Sequence, residues 1–175
     1  MNAATPRPRA AAIPAALAGL QSGLIGALCM LTWLGVLAEW QQRNFWIPVN
    51  LMASAFYGPG AVRSGFASQT VSGLAVYIAL YTFLGAALAV VLRDRLSRTR
   101  TVLIATAFAL LWYYLTFRLL WKSVIPLAAL LHVERTTAFG HLIYGAVLGG
   151  YPSRLPRQSL TSDPSRDREG ADAFS

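Results

Sequence analysis

The chain has 175 residues, 15 basic and 7 acidic, for a formal charge of +8; 55% of its residues are hydrophobic and only 13% charged. Soluble domains carry about 25% charged residues, so the deficit, with a mean hydropathy of +0.48, argues against a water-soluble globule. The arginines lie between long apolar runs instead of on one basic face, which argues against a nucleic-acid partner. The single Cys, Cys29, sits inside an apolar run and supports neither a disulfide framework nor a thiolate metal site.

A helix needs roughly 20 mostly apolar residues to cross a bilayer core about 30 Å thick. Ala15 to Leu37 meets this requirement, interrupted only by Gln21, Ser22 and Thr32. Next comes Phe45 to Tyr57, apolar but too short to cross. Pro48 suits the first turn of a helix, where its missing N–H is no loss, and Gly58-Pro59-Gly60 stops it. The expectation is a short helix over 48–57, either lying at the interface or re-entrant and shielded by protein. Val71 to Leu92 is a second span without a charge, and Val102 to Trp121 a third, with Arg118 near its end. A fourth begins at Val133 and runs to Tyr151, with Glu134 in a first turn where the helix dipole favours an anion.

The sequence therefore predicts an all-α membrane bundle over residues 15–152, with four transmembrane helices (15–37, 71–92, 102–121 and 133–151) and one short helix. Residues 1–14 form an N-terminal segment. Residues 153–175, rich in Pro, Ser, Arg and Asp, form a disordered tail with little to bury. Ten basic residues fall on the side of the two termini and five on the other, which places both termini in the cytoplasm. A cleaved signal peptide is the alternative for the first span: Arg7 and Arg9 are its basic region and Val36-Leu37-Ala38 a passable cleavage site, although the apolar run exceeds the usual length. The lipoprotein alternative fails, since Leu28 precedes Cys29 where a small residue is expected.

The two halves share a grammar: a long span, then Trp and a Pro-led apolar segment, then a returning span. Trp46-Ile47-Pro48-Val49-Asn50-Leu51 answers to Trp121-Lys122-Ser123-Val124-Ile125-Pro126-Leu127, and Gly73 with Tyr77 answers to Gly140 with Tyr144. A parallel internal repeat, with its axis along the membrane normal, is one reading of this pattern; chance alignment of apolar residues is the other.

Ionisable residues inside a bilayer are costly and are site candidates by default. His141 lies two turns into the fourth span and needs a hydrogen-bond partner there. A tyrosine such as Tyr144, one turn on, or a backbone carbonyl supplies one; the functional alternative is a proton- or anion-responsive outer cluster of His141, Arg118 and Glu39. Arg118 and Glu39 each also have an ordinary explanation at the membrane interface, Arg118 by snorkelling. Asn50, Ser54 and Tyr57 make a polar stripe on the short helix, facing either outer water or a shallow cavity shared with Arg118 and His141. Gly19, Gly23 and Gly26 permit close helix approach, within the bundle or at a homodimer seam.

No phosphate loop, nucleophile elbow, paired His or intramembrane carboxylate pair occurs, so no catalytic residue, metal or cofactor is expected. At Phe45-Trp46-Ile47-Pro48-Val49-Asn50-Leu51 and at His141 to Gly149 the chain resembles small bacterial inner-membrane proteins of unknown function, with four spans, a Trp-x-Pro-x-Asn-Leu segment and a His-led, Gly-rich last helix. The resemblance implies a bacterial plasma membrane and brings no reaction with it. The expected function is a non-enzymatic accessory or interaction protein in the bilayer, its partners the lipid and either a second copy or another membrane protein. A small oligomeric transporter or channel is the alternative.

Overall fold

The computed structural model describes residues 8–92, 97–121 and 134–150, and among them no strand occurs. Helix α1 is Pro8–Trp40, α2 Ile47–Tyr57, α3 Ser68–Leu92, α4 Arg98–Leu115 and α5 Glu134–Leu148. A single 3₁₀ turn, Pro59–Arg63, follows α2, and α4 widens into a π-helical turn over Thr116–Trp121. Expected segments 1–7 and 153–175, the Pro126 counterpart of the Pro48 helix, and Val133 and Tyr151 lie outside the described residues.

Among the described residues, three helical stretches are long and apolar enough to cross a membrane: Ala12–Trp40, Ser68–Leu92 and Arg98–Leu119. Helix α5 has 15 residues, about 22 Å at 1.5 Å each, so within the described residues it is not a complete fourth span, and the shorter apolar helix is α2. Helix α1 is longer than expected. Its 33 residues run through Pro14, which lacks the N–H for one backbone bond; membrane helices accommodate such a break through neighbouring helices and side chains. The apolar side chains distribute as a lipid solvent requires. Leu17, Leu28, Phe83, Leu103 and Leu111 are exposed, Phe83 by 70%, a pattern that suits hydrocarbon and is costly in water.

Helix α1 packs mainly on α3 and α5, α4 packs on α5, and α2 packs on α3. Small residues set the closest of these contacts. A Cβ on Gly19 would stand 2.6 Å from both Ala89 Cβ and the Gly85 carbonyl oxygen, and one on Gly85 would stand 2.8 Å from Gly23 Cα. The Gly19–Gly23 pair is thus an internal α1–α3 seam, and Gly26 receives the ring of Tyr144 from α5. Gly145 and Gly149 repeat the device, lying directly against Ala105–Thr106 and Val102 of α4. Without a hydrophobic driving force between helices in lipid, such close approach supplies dispersion contact over a long interface. The core at the meeting of these helices contains Met30, Leu31, Tyr77, Tyr81, Leu84 and Tyr144.

Candidate functional site

The end of α1 shapes the site. Gln42 adopts φ +57°, while Arg43 N–H donates to Ala38 O (2.8 Å) and Gln42 N–H to Glu39 O (2.9 Å). This pair of bonds around a left-handed residue is a Schellman stop. It turns the chain sharply and leaves Arg43 beside the first turn of α2. There Pro48 occupies the early helical position predicted for it, and the Phe45 ring fills the notch at Gly35.

Between α1, α2, α3 and α5 lies a partly open cavity of about 80 Å³. Gln41 and Arg43 stand at one end, Leu34, Leu37, Leu51 and Met52 form apolar walls, and Tyr77, Tyr81 and His141 lie at the other end. Its volume admits several waters, since one needs only about 10–15 Å³ by this measure. Among the described residues, no carboxylate lines it.

The floor is a hydrogen-bonded network. His141, 2% exposed, has Nδ1 2.9 Å from Thr137 O and Nε2 3.0 Å from Tyr81 Oη. A carbonyl only accepts, so Nδ1 carries the proton; the Nε2 of a neutral ring then accepts from the Tyr81 hydroxyl. Tyr144 donates to the backbone carbonyl of Tyr81 (2.6 Å), and Tyr77 to that of Ala27 (3.2 Å). The Tyr81 and Tyr144 rings meet edge to face with centroids 5.0 Å apart. On the α4 side, the Tyr113 ring lies 5.1 Å from that of His141, and its hydroxyl donates to Glu134 O (3.1 Å). A phenol and an imidazole at the end of a narrow apolar cavity can bind water or one hydrogen-bonding group of a small molecule.

The expected outer cluster is assembled differently. Tyr144 joins His141, but Arg118 and Glu39 are exposed and make no part of it. The Arg118 guanidinium lies 5.6 Å from the Tyr114 ring centroid. The basic residue at the cavity is Arg43 instead. On α1, Ala38 takes the inward position and leaves Glu39 outside.

Within the stripe of Asn50, Ser54 and Tyr57, Asn50 departs from both expected readings, while Ser54 is half-buried and Tyr57 exposed. Asn50 is fully buried; its amide donates to Gly65 O (2.7 Å), and its Oδ1 accepts from Thr70 Oγ1 (2.7 Å). Ser54 donates to Leu51 O in its own helix (2.6 Å), and Tyr57 shares a hydrogen bond with Ser72 (2.9 Å). The stripe fastens α2 to the connection after it and to the start of α3, while the opposite face, with Pro48, Leu51 and Met52, lines the cavity. Sequence reasoning missed the place of Tyr77 and Tyr81 beside His141, and it missed Arg43. The spacing of Tyr77, Tyr81 and the Gly85 seam along one α3 face was the available signal.

Among the described residues, no group of three His, Cys, Asp or Glu side chains lies close enough to hold a metal. No protein-family model, curated protein or solved structure matches this chain.

Proposed function

We propose that this chain is a non-enzymatic accessory or interaction protein of the bilayer, in a bacterial inner membrane with both termini cytoplasmic, as the distribution of its arginines favours. One observation carries the reading. The cavity reaches from Arg43 to the Tyr81–His141 hydrogen bond, and beyond that bond the α1–α3 and α4–α5 seams close on Gly19, Gly23, Gly85, Gly145 and Gly149. A pocket blind at one end supports holding or contacting a partner better than conducting a solute.

The cavity also favours a second reading, a transporter seen with one side accessible. Cysteine accessibility in a Cys29→Ala background separates the two. Cysteines at Met52 and Thr137 report the cavity, and one at Ala89 reports the seam. Labelling of the first two from the Arg43 side alone, with Ala89 protected from both sides, is the result expected. Labelling of Ala89, or of Thr137 from both sides, would establish an alternating or continuous path and replace this reading with transport.

A further inference from the structure

A second, larger cavity of about 570 Å³ lies beside the first, lined by Arg43, Asn44, Ile47, Pro59, Val62 and Arg63. The two cavities abut at Arg43 and Ile47, which line both. Among the described residues, two arginines and no carboxylate therefore line this one hollow. The Asn44 side chain gives its Oδ1 to Trp46 N–H (2.9 Å), so its remaining polar group is an amide donor. Arg43 has five N–H donors in a planar fork and can hold a contact within the protein and an anion together. Everything polar that the side chains offer here is a donor, and most of it is charged.

The level of this hollow in the bundle is marked by aromatic rings. Trp40 is 82% exposed at the end of α1, and Phe45, Trp46 and Phe66 form a contiguous group with centroid separations of 5.0 and 4.9 Å. Such aromatic side chains collect at the headgroup level of a bilayer. On the far side of Arg43, the smaller cavity continues between Leu37, Leu51 and Met52. A donor-lined hollow at headgroup level, adjoining an apolar slot, matches an anionic headgroup with a hydrocarbon chain attached.

We propose that this end of the bundle is a binding site for one anionic phospholipid, its phosphate between Arg43 and Arg63 and part of an acyl chain between Leu37 and Met52. Arg–phosphate pairing supplies the charge-assisted bonds, and the apolar slot distinguishes a lipid from a free anion. The inference rests on the membrane reading above and names a ligand for its accessory role.

The test uses the full chain purified in mild detergent and native mass spectrometry. The probes are phosphatidylglycerol, phosphatidylcholine with the same chains, and inorganic phosphate. Wild type is expected to retain one phosphatidylglycerol at least about tenfold more tightly than phosphatidylcholine, a factor that corresponds to about 1.4 kcal/mol. Arg63→Gln alters an exposed side chain and should weaken phosphatidylglycerol severalfold with the fold intact. Arg43→Gln with Arg63→Gln should abolish the headgroup preference, Arg43→Lys should keep part of it, and Arg118→Gln should keep all of it. Met52→Trp, which fills the apolar slot, should weaken the lipid.

Equal retention of the two lipids overturns the proposal, as does an unchanged preference in Arg63→Gln. Binding of inorganic phosphate as tight as that of phosphatidylglycerol also overturns it, by showing a free-anion site. Alkaline carbonate extraction of vesicles containing the chain tests the membrane reading separately: extraction of the protein defeats that reading, whereas retention without headgroup preference defeats this inference alone.

Discussion

Tyr81 on α3 and His141 on α5 share a hydrogen bond of 3.0 Å, although these helices meet through long side chains more than through close backbone packing. His141 is oriented for it by Thr137 O, one turn earlier in its own helix. The bond joins the α1–α3 half of the bundle to the α4–α5 half at the cavity floor. Tyr81→Phe should leave Nε2 without its donor, and His141→Leu should leave the phenol without its acceptor. In a double-mutant cycle by denaturant unfolding in micelles, the pair should couple by about 0.6–1.7 kcal/mol, the range for hydrogen bonds between membrane helices. Additive single effects would show that the bond contributes nothing to stability.

The α1–α3 seam predicts a sharper response. Gly19→Ala places a methyl group 2.6 Å from Ala89 Cβ and the Gly85 carbonyl oxygen, and backbone cannot yield as a side-chain tip can. The cost should be about 1–3 kcal/mol, as for other overpacked interfaces. Ala89→Gly in the same chain should recover part of it, by removing one of the two obstructions. At Gly60 a Cβ would meet nothing within 4 Å, so Gly60→Ala should change stability by less than about 0.5 kcal/mol. Equal effects at Gly19 and Gly60 would refute the packing argument.

The bundle and its seams were legible in the sequence for reasons that the site was not. Hydropathy over 18 or more residues reports a span directly, Pro48 and Gly58 bracket α2, and glycines four apart mark a close helix contact. Which face of a span looks inward is another matter. In a soluble helix the polar face identifies the buried one by contrast, but a lipid-facing helix is apolar all round, so Phe83 at 70% exposure and Leu84 at 9% read alike. Arg118 and His141 were grouped by their depth, which the sequence gives, without their azimuth, which it does not. Arg43 reaches the cavity through the left-handed turn at Gln42, and glutamine carries no signal for that conformation.

Asn50 is buried and Arg118 exposed, which separates two kinds of variant. Asn50→Ala should loosen the segment between α2 and α3, because it removes two buried side-chain bonds and leaves Thr70 Oγ1 with Gly65 O (3.0 Å) as its remaining acceptor. A loss of about 1–3 kcal/mol is expected for the two bonds together, at about 0.5–1.5 kcal/mol net per hydrogen bond. Ser54→Ala removes only a bond within α2, and Arg118→Gln alters an exposed side chain; each should stay within about 0.5 kcal/mol of wild type. Limited proteolysis between Gly58 and Ser68 offers a local check, with faster cleavage in Asn50→Ala and not in the other two.

Thr82 provides the opposite case, a native group whose removal should help. It sits on α3 one residue beyond Tyr81, its backbone against Gly23, and among the described residues its buried hydroxyl has no hydrogen-bond partner. An unsatisfied hydroxyl in an apolar setting costs about 1–3 kcal/mol. Valine has nearly the same shape and no polar atom. Thr82→Val should therefore raise stability by about 1 kcal/mol, visible as a higher unfolding midpoint in the same micelles. A destabilised Thr82→Val would mean instead that the hydroxyl is engaged in the bilayer, by a helix carbonyl or a ligand, and Thr82 would then become a candidate for a polar path through the bundle.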